Sequence, residues 1–171
     1  KSIKKAEKYL AKGLKLNSKG KASDALKKIN YALEIYSGFS EAHYQKGLIL
    51  FKQNDIDGAV VAFESAVEFK ENHVQANYYA GKCNHKLANY SLAVRYLSST
   101  VKGDESNEDA WYLLGSAYLE LNQPSDALLP LQKAVELNGE SSQNNLALGN
   151  AFYVMGNFDN AIINFSKVLE K

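Results

Sequence analysis

Small residues recur along this chain with a fixed period of 34 residues. The two series are Gly13, Gly47, Gly81, Gly115 and Gly149, and Ala25, Ala59, Ala93, Ala127 and Ala161. Neither series is interrupted by an insertion or a deletion. A period of this length is typical of stacked supersecondary units, each of which buries its apolar face against its neighbours. The repeated unit therefore constrains the fold more than any isolated residue does.

Each unit is predicted to consist of two helices joined by a turn. The recurring glycine and the next recurring alanine are separated by 11 residues, which include turn-forming stretches such as 54–58, 122–126 and 156–160. On the glycine side, Trp111, Leu114 and Tyr118 follow the spacing of an amphipathic helix, and a second such pattern begins at Ala127. We call the first helix of each unit A and the second B.

The segment 110–118, followed by Ala127, Leu131 and Ala134, resembles the signature of the tetratricopeptide repeat (TPR) family. With the recurring glycine as position 8, the repeats are 6–39, 40–73, 74–107, 108–141 and 142–171. The resemblance implies an all-α fold, a right-handed α-solenoid of five helix-turn-helix units with ten helices. We interpret residues 1–171 as one such domain, and the first residue, Lys1, indicates a piece of a longer protein.

The repeats depart from the family pattern at position 32, where the family has proline. The residues at that position are Ser37, Glu71, Glu105 and Gly139. Neighbouring Asn, Gly and Ser residues are predicted to make the turn without it.

Charge is unevenly distributed along the chain. Residues 1–28 contain ten lysines and two acidic residues, whereas the whole chain has a net charge of +1. An anionic partner for this basic end is one interpretation. We favour the alternative of a solvated terminal repeat, with lysines spread around the helix and no interleaved arginine or aromatic residue of the kind that nucleic-acid binders use.

Candidate chemical sites are weak. Residues 53–58, followed by Glu64, resemble part of a calcium loop, but the repeat register predicts a helix from residue 58 onward. The three histidines lack a second ligand at helical spacing, and Cys83 occupies a register position where Ala117 and Ala151 indicate packing. We expect no catalytic residue, metal or cofactor, no small-molecule substrate and no membrane span, and the single cysteine favours a cytoplasmic location.

The resemblance implies that helix A residues at positions 2, 5, 9 and 12 line a concave groove. We call this set the A-helix stripe. The predicted partner-binding residues are Tyr44, Leu48, Phe51, Tyr78, Lys82, His85, Tyr112, Ser116, Asn150 and Tyr153. Three of them repeat a tyrosine every 34 residues, which suits an extended peptide or an amphipathic helix, although packing between A helices is the alternative role. The lysine and asparagine pattern that some family members use to hold a chaperone's terminal carboxylate is absent from these positions.

Three local irregularities carry further expectations. Repeat three has Asn77 and Asn84 at apolar positions, which predicts either a weak, hinge-like repeat or polar side chains exposed to a partner. Pro130 is expected to bend a B helix. The last helix is expected to expose an apolar edge formed by Phe165, Val168 and Leu169.

The expected function is a non-enzymatic scaffold or adaptor that binds a peptide or helix of another protein in the groove. The alternatives are a regulatory or substrate-recruiting arm of a larger enzyme, and a scaffold that assembles with copies of itself. Nucleic acid is not an expected partner.

Overall fold

The computed structural model describes residues 2–169, and this part of the chain consists of helices joined by short turns. The helices are α1 (Ser2–Ser18), α2 (Ala22–Ile35), α3 (Ser40–Lys52), α4 (Ile56–Phe69), α5 (Val74–Lys86), α6 (Tyr90–Gly103), α7 (Glu108–Glu120), α8 (Pro124–Leu137), α9 (Ser142–Val154) and α10 (Phe158–Leu169). No strand occurs between residues 2 and 169. The predicted all-α fold of ten helices is confirmed.

The chain divides into two compact units, residues 1–83 and 84–171, with the boundary inside α5. In the first unit α1 packs against α2 and α3 against α4, and α2 also contacts α3. In the second unit α7 packs against α8 and α9 against α10, while α9 also contacts both α7 and α8. The interpretation of the chain as a single domain stays a prediction.

The recurring glycine lets helix A lie directly against a large side chain of helix B. A Cβ atom on Gly47 would lie 2.6 Å from the ring of Phe63, and one on Gly149 would lie 2.5 Å from Phe165. Such distances are far shorter than van der Waals contact, so glycine is required if the ring is to stay in place. The period seen in the sequence is therefore a packing requirement between paired helices.

The turn between helices A and B has one fixed conformational feature, a left-handed residue at position 15. The residues with positive φ are Gly20, Asn54, Ala88, Asn122 and Gly156, one in each repeat. Glycine and asparagine adopt this conformation readily, whereas an alanine does so at an energetic cost. Ala88, at φ 59°, is therefore a strained point of repeat three.

The turn between helix B and the next helix A is held by a side chain at position 4. In four repeats this side chain donates a hydrogen bond to the position-32 carbonyl six residues earlier. The pairs are His43 Nε2 and Ser37 O at 2.8 Å, Asn77 Nδ2 and Glu71 O at 2.8 Å, Trp111 Nε1 and Glu105 O at 2.9 Å, and Asn145 Nδ2 and Gly139 O at 2.7 Å. The carbonyl that is fixed belongs to the residue that the family pattern makes a proline.

Short polar side chains begin several helices. Asp55 accepts a hydrogen bond from the N–H of Gly58 at the start of α4, and Asn107 accepts one from Ala110 at the start of α7. These are N-cap interactions, which satisfy backbone donors that have no partner inside the helix. Asp55, one of the two acidic residues in the calcium-like segment 53–58, thus caps the start of a helix.

Repeat three buries the polar residues that occupy its apolar register positions. Asn77 and Asn84 are 2% and 1% exposed, and Thr100 is fully buried. Asn77 donates to Glu71 and His73 carbonyls, Asn84 accepts from Asn89, and Thr100 donates to the Tyr96 carbonyl. The expectation that Asn77 and Asn84 face a partner is therefore wrong, because both side chains complete hydrogen bonds inside the fold. The hinge interpretation stays a prediction.

The last helix exposes different residues from those expected. Phe165 and Val168 are half-buried, since Phe165 lies under Gly149, whereas Leu169 is 84% exposed. The strongly exposed apolar side chains of α10 also include Phe158, Ile162 and Ile163. In α8, Pro130 is buried within a helix assigned without interruption from Pro124 to Leu137, and the expected bend stays a prediction.

Candidate functional site

In the first unit, the predicted partner-binding residues lie on α3 and α5. Tyr44, Leu48, Phe51, Tyr78 and Lys82 are all half-buried. Each side chain therefore contacts the fold and also keeps part of its surface accessible. This combination suits a docking surface whose side chains are held in place by their neighbours.

Tyr79, which the sequence analysis did not single out, stands at the centre of these rings. Its centroid lies 5.5 Å from Phe51, 5.0 Å from Tyr78 and 6.3 Å from Tyr44. It also stacks on the buried ring of Phe63 at 5.1 Å. We call these five residues the aromatic cluster. The sequence does offer one sign of Tyr79, because position 6 is tyrosine only in repeat three and is Ala, Gln or Leu in the other repeats.

Tyr44 is held on two sides. Its ring lies 6.0 Å from Phe63 and 4.8 Å from His73, whose Nε2 is 3.6 Å from Glu41. Burial, with smaller contributions from Tyr79 and Glu41, raises the pKa of the Tyr44 hydroxyl above its ordinary value of 10.0. The phenol thus stays protonated at neutral pH and can donate a hydrogen bond.

Lys82 brings a positive charge to the same surface. Its ammonium donates a 2.9 Å hydrogen bond to the Tyr78 hydroxyl and lies 5.2 Å from the centroid of that ring. The one-turn spacing of these residues on α5 explains the contact. The pair combines an apolar ring, a hydroxyl and a cation at one point of the A-helix stripe.

In the second unit, His85 and Ser116 come together although 31 residues separate them. Nε2 of His85 lies 3.0 Å from Oγ of Ser116, and the imidazole meets the ring of Tyr90 edge-on at 5.4 Å. Burial is the main cause that lowers the pKa of His85 below 6.5; Glu120 and Asp109 oppose it, and Lys86 adds to it. The imidazole is therefore neutral at pH 7 and acts as a hydrogen-bonding group.

The remaining stripe residues of this unit differ in exposure. Tyr112 is half-buried and packs against the core formed around Leu131 and Leu148. Asn150 is exposed, and Tyr153 is 59% exposed and contacts Phe158 edge-on at 5.7 Å. The accessible part of the stripe in this unit is therefore concentrated on α9.

A second concave feature lies beside Trp111. It is a surface cleft of about 430 Å³ lined by Val101, Lys102, Glu105, Trp111, Lys133, Glu136 and Leu137. Lys133 and Glu136 on its rim form an ion pair at 2.7 Å. Its lining combines apolar side chains with charges of both signs, so its electrostatics favour no single class of ligand.

The lysines of α1 share one face, contrary to the expectation that they spread around the helix. The five are Lys4, Lys5, Lys8, Lys12 and Lys15, and all are exposed. At 3.6 residues per turn they fall within an arc of about 100°. The opposite face, with Ala6, Leu10 and Gly13, is buried. The apolar requirement of one face therefore confines the lysines to the other.

Neither a metal cluster nor a membrane-spanning helix is present in the described part of the chain. Residues 2–169 contain no group of three or more His, Cys, Asp or Glu side chains placed to hold a metal ion. Within the same range no helix has the length and hydropathy that a bilayer span requires.

The comparison with protein families decides the classification. Two models described as tetratricopeptide repeat match residues 40–73 and 85–145, which together make up more than half of the chain. This chain belongs to the TPR family. Proteins of this family are typically scaffolds without catalytic activity of their own. Cys83 is fully buried, as the packing role of its register position predicts.

Solved structures support the same fold. A MamA RS-1 ArsTM double mutant is 28% identical, with a TM-score of 0.84 over 97% of this chain and 93% of that one. MamA 41-end from Desulfovibrio magneticus RS-1 is also 28% identical, with a TM-score of 0.81 and coverage of 97% and 94%. YrrB, titled a TPR protein with an unusual peptide-binding site, is 22% identical, with a TM-score of 0.88 and coverage of 95% and 84%. A search of curated proteins finds no match.

Proposed function

We propose that this TPR chain is a protein-interaction scaffold that binds a peptide or an amphipathic helix of a partner through its A-helix stripe. The observation that carries the proposal is the aromatic cluster on α3, α4 and α5. Four of its five rings are half-buried, and the fifth, Phe63, is fully buried and contacts the rings of Tyr44 and Tyr79. Rings that are already immobilised lose little conformational entropy when a partner binds.

The chemistry of the first unit points to the kind of segment that would bind. The rings of Tyr44, Phe51 and Tyr78 suit apolar side chains spaced along one face of a helix or an extended strand. Lys82, which bonds to the Tyr78 hydroxyl, adds a cation that favours a carboxylate beside those side chains. A partner segment with apolar anchors and a nearby acidic residue is the expected ligand.

YrrB supports the proposal by analogy, since it is a protein of similar fold that is described as having a peptide-binding site. The fold alone does not define where a peptide binds. The choice of the A-helix stripe therefore depends on the aromatic cluster, and the cleft beside Trp111 is the competing location.

The test begins with affinity purification on immobilised chain, followed by affinity measurements on a recovered partner. Tyr78→Ala and Tyr112→Ala should each weaken binding by about 2 kcal/mol if both rings are anchors. Tyr31→Ala and Tyr36→Ala are the controls, because each ring contacts one aromatic neighbour, as Tyr78 does, and lies outside the stripe. Circular dichroism should report unchanged helicity in every variant.

Unchanged affinity in a folded Tyr78→Ala, Tyr112→Ala double variant would reject the stripe. Loss of affinity in Lys102→Glu alone would instead identify the cleft beside Trp111 as the site. Chelators should have no effect on binding, and salt should weaken it only modestly.

A further inference from the structure

Asn138 and Gly139 form the only Asn-Gly pair in the sequence. They lie in the turn between α8 and α9, where Asn138 is the C-cap residue of α8 and both residues are exposed. Asparagine is a chemically labile residue, because the backbone nitrogen of the next residue can attack its side-chain carbonyl carbon. The attack is easiest when the next residue is glycine, since no Cβ atom obstructs the approach. The pair therefore has the composition of a deamidation site.

The attacking nitrogen is unprotected in this turn. The N–H of Gly139 donates no hydrogen bond to any group between residues 2 and 169. In contrast, the N–H of the residue after Asn54 is hydrogen-bonded at 3.0 Å, and that of the residue after Asn122 at 2.8 Å. An N–H that is already bonded must lose its partner before it can react. Of these three exposed asparagines, Asn138 is therefore followed by the most available nucleophile.

Ring closure requires a local opening of the turn. The ψ angle of Asn138 is 83°, which turns the Gly139 nitrogen away from the side-chain Cγ. The Asn138 carbonyl, which moves in this rotation, accepts hydrogen bonds from the Ser141 N–H at 3.2 Å and from Asn144 Nδ2 at 3.4 Å. Both distances are longer than the usual value of about 2.9 Å. An exposed turn that is held by long hydrogen bonds opens at a lower free energy than the core does.

The side-chain amide of Asn138 lies against a carboxylate. Its Nδ2 donates a 3.1 Å hydrogen bond to Oε2 of Glu108, the first residue of α7. Oε1 of Glu108 accepts a 2.7 Å bond from Nδ2 of Asn144, a residue of α9 that is 1% exposed. The same Nδ2 also donates to the carbonyl of Ala134 in α8 at 3.1 Å. Glu108 thus connects three helices through two neutral amides.

We propose that Asn138 is a site of spontaneous deamidation, and that its product loosens the junction of α7, α8 and α9. The Gly139 nitrogen loses its proton to water and forms a bond to Cγ of Asn138. The Cγ–Nδ2 bond then breaks, and its nitrogen takes up a proton from water and leaves as ammonia. Water adds to either carbonyl of the resulting succinimide and gives aspartate or isoaspartate. The overall reaction consumes water and releases ammonia.

Either product replaces a hydrogen-bond donor with an anion beside Glu108. Two carboxylates at this distance repel each other, and Glu108 is half-buried, so the repulsion is screened less than between fully exposed groups. Movement of the Glu108 carboxylate weakens its bond to buried Asn144. Isoaspartate also lengthens the main chain and displaces the Gly139 carbonyl, to which Asn145 Nδ2 donates at 2.7 Å. No partner takes part in these steps, so the inference is independent of the proposed function.

The first experiment measures the reaction itself. The purified 171-residue chain is incubated at physiological temperature and at several pH values, and peptide mapping by mass spectrometry locates the deamidated residues. Deamidation should accumulate at Asn138 ahead of Asn54 and Asn122. Its rate should rise with pH, because the Gly139 nitrogen reacts after losing its proton. The chain unfolded in guanidinium chloride is the positive control.

Gly139→Ala is the matched variant for the rate. A Cβ atom there would meet only the Val135 carbonyl oxygen, at the ordinary contact distance of 3.5 Å, so the fold accepts it. Deamidation at Asn138 should be severalfold slower in this variant. Equal rates in the two chains would overturn the proposal. Reaction of the unfolded chain at Asn138 without reaction of the folded chain would overturn it as well.

The second experiment measures what the product does to the fold. Asn138→Asp reproduces one product, and Asn138→Ala removes the same hydrogen bond without adding a charge. At pH 7 Asn138→Asp should unfold at a lower temperature than Asn138→Ala, and the difference should shrink in high salt and below about pH 4. Adding Glu108→Gln to both variants should remove the difference. A difference that persists in the Glu108→Gln background, or equal stability of the two single variants at pH 7, would reject repulsion at Glu108 as the cause of the loosening.

Discussion

The indole Nε1 of Trp111 donates a 2.9 Å hydrogen bond to the carbonyl oxygen of Glu105. It is one of four equivalent bonds in which the position-4 side chain fixes the carbonyl at position 32 of the preceding repeat. Proline would restrict the backbone at position 32 through its ring. Here a side-chain donor restricts it from the next helix. The missing prolines are thus compensated by hydrogen bonds.

Trp111→Phe should lower the free energy of unfolding by about 1 kcal/mol, because the net value of one such bond is lost while an aromatic ring is kept. Urea denaturation measures the change. Tyr112→Phe is the control and should leave stability unchanged, since its hydroxyl makes no hydrogen bond with any group between residues 2 and 169. Equal stability of Trp111→Phe and the unaltered chain would mean that the bond contributes nothing to the turn.

These turns mark a limit of sequence reasoning. The 34-residue period and the helical spacing of apolar residues were sufficient for the fold class, because both follow from how paired helices pack. The common role of position 4 was hidden, because His43, Asn77, Trp111 and Asn145 share only an N–H donor. These four residues differ in size and in charge. Their common role is therefore visible only in the structure, where each donates to the position-32 carbonyl.

The candidate site was predicted in part for a similar reason. The repeat positions 2, 5, 9 and 12 predict the stripe residues. They do not include position 6, where Tyr79 contacts the other rings of the aromatic cluster. Nor could it pair His85 with Ser116, since that contact depends on how two A helices approach each other. The shared face of the α1 lysines, in contrast, follows from helical geometry and was accessible from the sequence.

The strained turn of repeat three gives a prediction with a natural control. Ala88→Gly should stabilise the chain by about 1 kcal/mol, because glycine adopts a positive φ without the penalty that a Cβ atom causes. Gly156→Ala should destabilise it by a similar amount, since Gly156 has φ 77° and a Cβ there would meet no atom within 4 Å. Thermal unfolding of both variants tests the pair. The two variants should change the stability in opposite directions. A destabilised Ala88→Gly variant would show that the backbone at Ala88 is not strained.

His85 should make the fold sensitive to mild acid. Its pKa is lowered by burial, so as the pH falls through 6.5 the unfolded chain binds a proton before the folded one does. Stability is therefore fully present above pH 6.5 and declines below it. An NMR titration should give a midpoint below 6.5 for His85. The loss of stability between about pH 7 and pH 5 should be smaller in His85→Gln, and an unchanged loss would exclude His85 as its source.

Pro130 and Pro124 lie in the same helix, and they should respond in opposite ways to replacement by alanine. Pro130 is buried in the helix interior, where its ring removes one backbone hydrogen bond at a cost of about 3 kcal/mol. Removal of two ring carbons sacrifices about 0.8 kcal/mol for each buried methylene. Pro130→Ala should thus raise the free energy of unfolding by about 1 kcal/mol.

Pro124 stands in the first turn, where no helical bond is lost, so Pro124→Ala should be neutral or slightly destabilising. Urea denaturation distinguishes these outcomes, and a destabilised Pro130→Ala variant would mean that its ring contributes more through packing than the helix loses through the missing donor.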